Sequence, residues 1–116
     1  MKPCSFTKKE RLLKKQDFID AAKKGKRFST KNLTIFIKSN DIGIKRFGLS
    51  VSRKVGSAVK RNRIKRCLRE FFRLNKEIFP ASSDISISVK QGYSLSGYND
   101  VKKELTDFLT KIKKND

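Results

Sequence analysis

The sequence contains no histidine, no tryptophan and only two cysteines in 116 residues. Without imidazoles the chain cannot cleave RNA through paired histidines, and it cannot assemble a Ser-His or Cys-His nucleophile. Cys4 and Cys67 alone cannot complete a four-ligand zinc site, and we do not expect them to form a disulfide. Cys67 is most simply a small core residue.

Acidic residues are also few, with 11 Asp and Glu against 30 Lys and Arg and a net charge of +19. They are scattered, whereas metal-dependent phosphodiester hydrolysis gathers several carboxylates around its ions. Asp17 and Asp20 lie on neighbouring turns of a predicted helix. Lysines surround them, and we expect ion pairs to Lys14, Lys23 or Lys24. With no glycine-rich phosphate loop either, the composition predicts a binding protein without catalytic residues or metal ligands.

Long apolar runs are absent as well. No stretch approaches the roughly 18 apolar residues that span a bilayer, and the first residues lack the apolar region of a signal peptide. We therefore expect a cytoplasmic protein with no membrane partner. The excess of cations predicts a polyanionic partner such as RNA, and 116 residues fit a single RNA-binding domain spanning 1–116.

The N-terminal part predicts a basic leader followed by a short helix. Residues 1–13 form the leader, which we expect to be flexible and to dock through Leu12 and Leu13. The helix runs from about 15 to 24 and ends at Gly25, because glycine after two lysines is a good helix stop. Its predicted apolar side consists of Phe18, Ile19 and Ala22.

From Arg27 onward a period of two indicates strands. The alternating runs 32–38 and 46–52, separated by a turn at 40–43, predict a β-hairpin with one buried face. Residues 84–90 predict a third strand, and residues 97–113 predict a final amphipathic helix. The order helix, strand, strand, helix, strand, helix predicts an α/β (α+β) sandwich, in which helices cover one side of a small, mostly antiparallel sheet.

The most informative segment is a basic helix predicted between Ser57 and Leu74, with Ser57 as its N-cap. It holds seven Lys and Arg residues and one acid. A helical step of about 100° per residue separates a basic stripe from an apolar side. The basic stripe consists of Asn62, Arg66, Arg69 and Arg73, flanked by Arg61 and Lys65, and the apolar side consists of Ile64, Cys67, Leu68 and Phe71. Arginine outnumbers lysine, which favours phosphate recognition. A solvated basic face is the alternative, but such faces normally mix both signs of charge.

A second candidate surface is the outer face of the predicted sheet. Its polar side chains and single aromatic ring are Thr34, Phe36, Arg46, Ser50, Ser52, Ser86, Ser88 and Lys90. A face of this kind is a platform on which single-stranded nucleotides stack and form hydrogen bonds. The alternative is an ordinary solvated sheet face, which antiparallel sheets commonly have.

Residues 47–66 closely resemble the signature of the bacterial ribonuclease P protein subunit: they read FGLSVSRKVGSAVKRNRIKR. Arg61-Asn62-Arg63 matches the RNR motif of that family. A second similarity covers residues 11–25, where Asp17-Phe18 and Lys23-Lys24-Gly25 match. The resemblance spans nearly the whole chain and is more specific than basic composition alone would produce.

The resemblance implies a subunit of a ribonucleoprotein in which ribonuclease P RNA removes the 5′ leader of precursor tRNA by Mg²⁺-dependent hydrolysis. Catalysis would belong to the RNA, which would bind most of the Mg²⁺, and the protein alone would be inactive. The implied partners are ribonuclease P RNA and precursor tRNA, with no obligate protein partner. The implied RNA-contacting residues are Arg61, Asn62, Arg63, Lys65, Arg66 and Arg69, with Arg53 and Lys54 at the strand end, and the basic stripe adds Arg73. The implied leader-binding cleft contains Phe18, Phe36 and Ser50.

Two further expectations come from the family. It implies a left-handed β-α-β crossover through the basic helix, against the general right-handed rule. Relatives commonly carry a second aromatic residue one turn after Phe18, where this chain has Ala22. We expect either weaker stacking of the leader at that position or a substitute ring from Phe28.

Other functions fit parts of the pattern. A ribosomal or RNA-chaperone protein would share the charge and size, and it is the main alternative. A DNA-binding regulator would also use a basic helix, but here a strand precedes that helix in place of the first helix of a helix-turn-helix. An independent nuclease is disfavoured by the missing histidine and the scattered acids.

Overall fold

A computed structural model describes residues 10–12 and 15–114 of the chain. Within them the elements are α1 (Lys15–Lys24), β1 (Lys26–Ser29), β2 (Leu33–Ser39), β3 (Arg46–Ser50), α2 (Ala58–Leu74), β4 (Ser83–Val89) and α3 (Tyr98–Lys114). Short 3₁₀ turns at Arg53–Val55 and Lys76–Ile78 flank α2. The predicted α+β class is confirmed, and the sequence analysis missed β1 as a separate strand.

The four strands lie in the order β1-β2-β4-β3. β1 pairs antiparallel with β2, β2 pairs antiparallel with β4, and β3 pairs parallel with β4. The predicted hairpin between the runs 32–38 and 46–52 is therefore wrong, because β4 lies between them. Six of the seven β4 residues are buried, and a strand covered on both faces is favoured at the centre of a sheet. The parallel β3 and β4 are joined through α2, so the crossover is present, and its left hand stays a prediction.

Helices α2 and α3 cover one face of the sheet. Ile35, Ile85 and Ile87 are fully buried on this face, and both helices contribute to the same hydrophobic core. The ring of Phe47 in β3 stacks on Phe72 in α2 with 4.7 Å between centroids. The core therefore lies between the sheet and these two helices, as the alternation of apolar residues predicts.

Helix α1 lies on the opposite face, which corrects the expectation that all helices share one side. A Cβ built on Gly48 would point away from the core and meet the ring of Phe18 at 2.6 Å. Ala21 is the fully buried residue of α1, whereas Ala22, predicted on the apolar side, is exposed. Small residues at these contacts allow the helix to approach the sheet closely.

The segment of residues 10–12 runs along the free edge of β3. The amide of Leu12 donates to the carbonyl of Phe47 at 3.0 Å, and the Leu12 side chain is buried. Glu10 forms an ion pair with Lys76 at 2.7 Å. The predicted docking through Leu12 is confirmed, and this segment belongs to the fold. Leu13, Lys14 and residues 1–9 lie outside the described residues.

Candidate nucleic-acid interface

Helix α2 begins and packs as its sequence predicts. The Ser57 hydroxyl caps the helix by accepting from the Lys60 amide at 3.2 Å. The buried side chains are Ile64, Leu68, Phe71 and Phe72, and Cys67 is half-buried against the core. Because this apolar side is held against the sheet and α3, the opposite side of the helix is presented to solvent.

The basic stripe lies on that exposed side. Asn62, Arg66 and Arg69 are exposed, and with Arg73 they line one shallow surface groove. In the part of the chain that the structure describes, no carboxylate forms an ion pair with Arg66 or Arg69. Their guanidinium groups are therefore free to bind phosphate oxygens in pairs.

Glu70 is the one acid in this groove, and it pairs with Arg73 through both carboxylate oxygens. The hydrogen bonds from Arg73 hold the pKa of Glu70 below its ordinary value. Arg73 therefore differs from the other arginines of the stripe, because part of its charge is neutralised inside the protein.

The three residues of the RNR motif point in three directions around α2. Arg61 is half-buried, and its Nε donates to the carbonyl of Gly56 at 3.2 Å. Asn62 lies in the stripe, and the exposed Arg63 lies on the other flank, since consecutive helical residues are about 100° apart. Lys65 is half-buried on the flank of Arg61.

Arg53 and Lys54 lie on the 3₁₀ turn that connects β3 to α2, and both are exposed. The carbonyl of Arg53 accepts from the Gly56 amide at 3.3 Å, which closes the turn. Their side chains are therefore placed between the end of the sheet and the start of the basic helix, where the chain passes from one candidate surface to the other.

The sheet register places the predicted cleft residues on one face, opposite the core. Phe36, Ser86 and Gly48 form one cross-strand row, and Ser50 lies in the next row on this face beside Ser88. Strands are about 4.8 Å apart, so Phe36 lies about 10 Å from Gly48. The ring of Phe18 covers Gly48, which places Phe18 and Phe36 at opposite ends of the row.

The end of this face under the start of α1 is closed by an ion-pair network. Arg46 donates to both carboxylate oxygens of Asp84 at 2.8 and 2.7 Å and lies 3.7 Å from Asp17. Burial alone would raise the pKa of Asp84, but hydrogen bonds from Arg46 and Asn40 outweigh it and hold the pKa below its ordinary value. Arg46 is therefore a structural residue of this face.

Three predictions about α1 and its surroundings are corrected. Among the described residues, Asp17 pairs with Arg46 and Asp20 accepts from Gln16, and neither pairs with the predicted Lys23 or Lys24. The third predicted partner, Lys14, lies outside the described residues. Phe28 lies beside Ile35 on the core face and packs edge-on against Phe108 at 5.3 Å. It therefore cannot substitute for an aromatic residue at Ala22. The alternation of side chains along a strand predicts which of them share a face. Because the sequence analysis missed β1, it did not assign Phe28 to the core face.

No three His, Cys, Asp or Glu side chains within residues 10–12 and 15–114 come together in a group that could hold a metal ion. Over the same ranges, no helix is both long and apolar enough to cross a membrane. The described surfaces are distinguished by their cations, hydroxyls and aromatic rings.

Comparison with known proteins identifies the family to which the chain belongs. A family model described as Ribonuclease P matches residues 6–113. The chain belongs to the ribonuclease P protein family. It is 47% identical over 115 residues to the ribonuclease P protein component of Syntrophus aciditrophicus (strain SB), which covers 99% of this chain and 97% of the relative.

Solved structures of RNase P proteins also match the fold of this chain. The RNase P protein of Staphylococcus aureus matches with a TM-score of 0.78 and 32% identity, covering 90% of this chain and 95% of that one. The RNase P protein of Thermotoga maritima matches with a TM-score of 0.77 and 30% identity, covering 88% and 96%. The chain therefore functions as a protein subunit of ribonuclease P in tRNA 5′ processing, and the ribosomal or RNA-chaperone alternative is not favoured.

Proposed function

We propose that this subunit uses two surfaces on opposite sides of its sheet: the basic stripe of α2 binds ribonuclease P RNA, and the outer face under α1 binds the 5′ leader of precursor tRNA. One observation carries this proposal. β3 ends at Ser50, whose side chain is on the outer face, and α2 begins at Ala58. A short connection that bears the exposed Arg53 and Lys54 therefore joins the two surfaces. One small protein can then contact both RNAs at once.

Binding of the catalytic RNA is supported by the charge of α2. Arg66 and Arg69 are exposed, adjacent on one stripe and without a carboxylate partner among the described residues. Arginine side chains in this arrangement bind phosphates bidentately, and each contact releases counterions from the RNA. The net charge of +19 adds long-range attraction to a polyanion.

Binding of the leader is supported by the rings and hydroxyls of the outer face. Phe18 and Phe36 are both half-buried, so each ring keeps an accessible part on which an unpaired base can stack. The exposed hydroxyl of Ser50 lies one row further along the same face. Stacking at the rings with hydrogen bonds at the hydroxyls suits a single strand, which is what a leader offers.

Catalysis is assigned to the RNA in this proposal. The described residues do not form a carboxylate site that fits Mg²⁺, so we propose that the RNA holds most of the Mg²⁺ of the reaction. When bound there, Mg²⁺ would supply Lewis-acid stabilisation of the phosphodiester. The protein contributes binding energy for the precursor and cations that offset repulsion between RNA strands. Because tRNA precursors are made in the bacterial cytoplasm, the proposal places the protein there.

Reconstitution tests the proposal directly. Leader release from a labelled precursor tRNA is measured with protein alone, bacterial ribonuclease P RNA alone, and both together, across a Mg²⁺ titration. We expect no cleavage by the protein alone and strong stimulation of the RNA at low Mg²⁺. The stimulation should shrink as Mg²⁺ rises, because free ions replace the electrostatic contribution. Metal-dependent cleavage by the protein alone, or no stimulation at any Mg²⁺ concentration, would contradict the proposal.

A further inference from the structure

A groove lies between the first turns of α2 and the loop of residues 93–97, beside the basic stripe. Val59, Lys60 and Arg63 line it from α2, and Tyr93 and Leu95 line it from the loop. Its volume is about 480 Å³, which is within the roughly 300–1,000 Å³ of sites that hold small organic groups. No residue of the leader-binding face contributes to it.

The loop that forms one wall is held in place before any ligand binds. The amide of Ser94 donates to Oδ1 of the buried Asn32 at 2.9 Å, and Asn32 donates to Glu104 at 2.8 Å. Towards the other end of the loop, Ser96 donates to Asp100 from both its amide and its hydroxyl. Because both ends of this loop are tied to α3, the groove is preformed.

The groove has an apolar side whose exposure the fold does not explain. Val59 is 69% exposed although it is a β-branched apolar residue on the first turn of a helix. Leu95 is half-buried opposite it, and Tyr93 forms the floor with only 7% exposure. Burial raises the pKa of Tyr93 to about 12. A flat apolar group between Val59 and Leu95 would cover this surface.

The rim of the groove is basic. Lys60 and Arg63 are both exposed, and within the described ranges neither forms an ion pair with a carboxylate. The methylene chain of Lys60 lies against Gly56, where a Cβ would be only 2.7 Å from its Cδ. The glycine therefore leaves room for the lysine stem. The carboxylate of Asp100 accepts a hydrogen bond from the Ser96 hydroxyl.

We propose that this groove binds one unstacked nucleotide of ribonuclease P RNA, with its base against Val59 and Leu95 and its phosphate on Lys60 and Arg63. The inference rests on the proposed function, because it extends the RNA-binding surface of α2. Arg63 lies about 100° around α2 from Asn62, so the groove borders the basic stripe. The combination of an apolar slot and unpaired cations matches a nucleotide better than a bare phosphate or an apolar ligand.

Val59→Ser tests the base contact, and Leu74→Ser is the matched control. Leu74 is a second exposed apolar residue of α2, 42% exposed and about 22 Å along the helix from Val59. We expect Val59→Ser to weaken binding of ribonuclease P RNA about tenfold without changing the slope of affinity against salt, because no phosphate contact is lost. We expect Lys60→Gln to reduce that slope by roughly 0.7 to 0.9, and Leu74→Ser to change neither.

A second measurement identifies the nucleotide inside the folded complex. Chemical probing of the RNA bases should show one position that the parent protein and Leu74→Ser protect and that Val59→Ser leaves reactive. Unchanged affinity and protection with Val59→Ser would overturn the groove proposal.

Two further arms separate the possible failures. If Arg66→Ala with Arg69→Ala still weakens binding while Val59→Ser does not, the proposed function stands and only the groove fails. If neither variant weakens binding, the proposed function itself fails. If Val59→Ser weakens binding only to precursor tRNA in the absence of ribonuclease P RNA, the nucleotide belongs to the substrate, and the assignment to the catalytic RNA is wrong.

Discussion

The ring of Phe18 lies directly over Gly48. A Cβ on residue 48 would be 2.6 Å from Cζ of Phe18 and 2.8 Å from Cβ of Leu12, both well inside van der Waals contact. Glycine at this position therefore allows α1 and the segment of residues 10–12 to lie on the outer face of the sheet. The position of Phe18, and with it one end of the proposed leader-binding face, depends on residue 48 having no side chain.

Gly48→Ala is expected to push α1 away from the sheet. Overpacking of this kind costs about 1 to 3 kcal/mol of unfolding free energy, and we expect precursor tRNA to lose affinity relative to mature tRNA. Gly92→Ala is the control, because nothing lies within 4 Å of a Cβ there. Urea denaturation and the two tRNA affinities, measured in the presence of ribonuclease P RNA, check both effects. A Gly48→Ala variant with the parent's stability would show that α1 adjusts without cost.

Phe36→Ala is expected to weaken binding of precursor tRNA by about 1 to 3 kcal/mol, since a base loses its stacking partner. Mature tRNA has no leader and should bind as before. Phe28→Ala provides the comparison, because Phe28 packs against Phe108 on the core face; it should lower stability and leave the ratio of the two affinities unchanged. Equal losses for precursor and mature tRNA with Phe36→Ala would rule out the leader contact.

Replacing Arg66 and Arg69 together by alanine is expected to weaken binding of ribonuclease P RNA and to flatten its salt dependence. Each lost phosphate contact lowers the log-log slope by roughly 0.7 to 0.9. Both residues are exposed, so folding should be unaffected. Lys102→Ala with Lys103→Ala makes the same change of charge on the exposed side of α3. If this control flattens the slope equally, net charge rather than the basic stripe determines binding.

Asp84→Asn is expected to lower the unfolding free energy at pH 7 by about 1.5 to 3 kcal/mol, because hydrogen bonds between charged groups are lost. The folded-state pKa of Asp84 lies below its ordinary value of 3.8, so the unfolded state takes up the proton first. The stabilisation by Asp84 is therefore complete above that value and is lost as the pH falls through the folded-state pKa.

Urea denaturation of parent and Asp84→Asn at pH 7 and near pH 3 measures this difference. It should shrink on acidification, and a difference that grows would contradict the assigned direction. The exposed Asp107→Asn on α3 serves as the control and should change stability little at pH 7.

The sequence by itself was sufficient for features that depend on local periodicity. The limits of α1, the Ser57 cap and the division of α2 into a buried and a basic side were all predicted correctly, because helical spacing and capping chemistry act within a few residues. The alternation in β2, β3 and β4 likewise predicted which of their side chains face the core, since neighbouring residues of a strand point to opposite faces.

Only the tertiary structure decided which of these surfaces meet. The alternation of side chains along a strand does not specify which strand lies next to it. β4 lies between β2 and β3 because a strand that is buried on both faces is favoured at the centre of a sheet. The position of α1 over Gly48, the ion pairs of Arg46 and the packing of Phe28 on Phe108 join residues far apart in the chain. Such contacts depend on the fit of whole surfaces, with small residues where backbones approach and buried charges where partners lie opposite, and local periodicity does not contain that information.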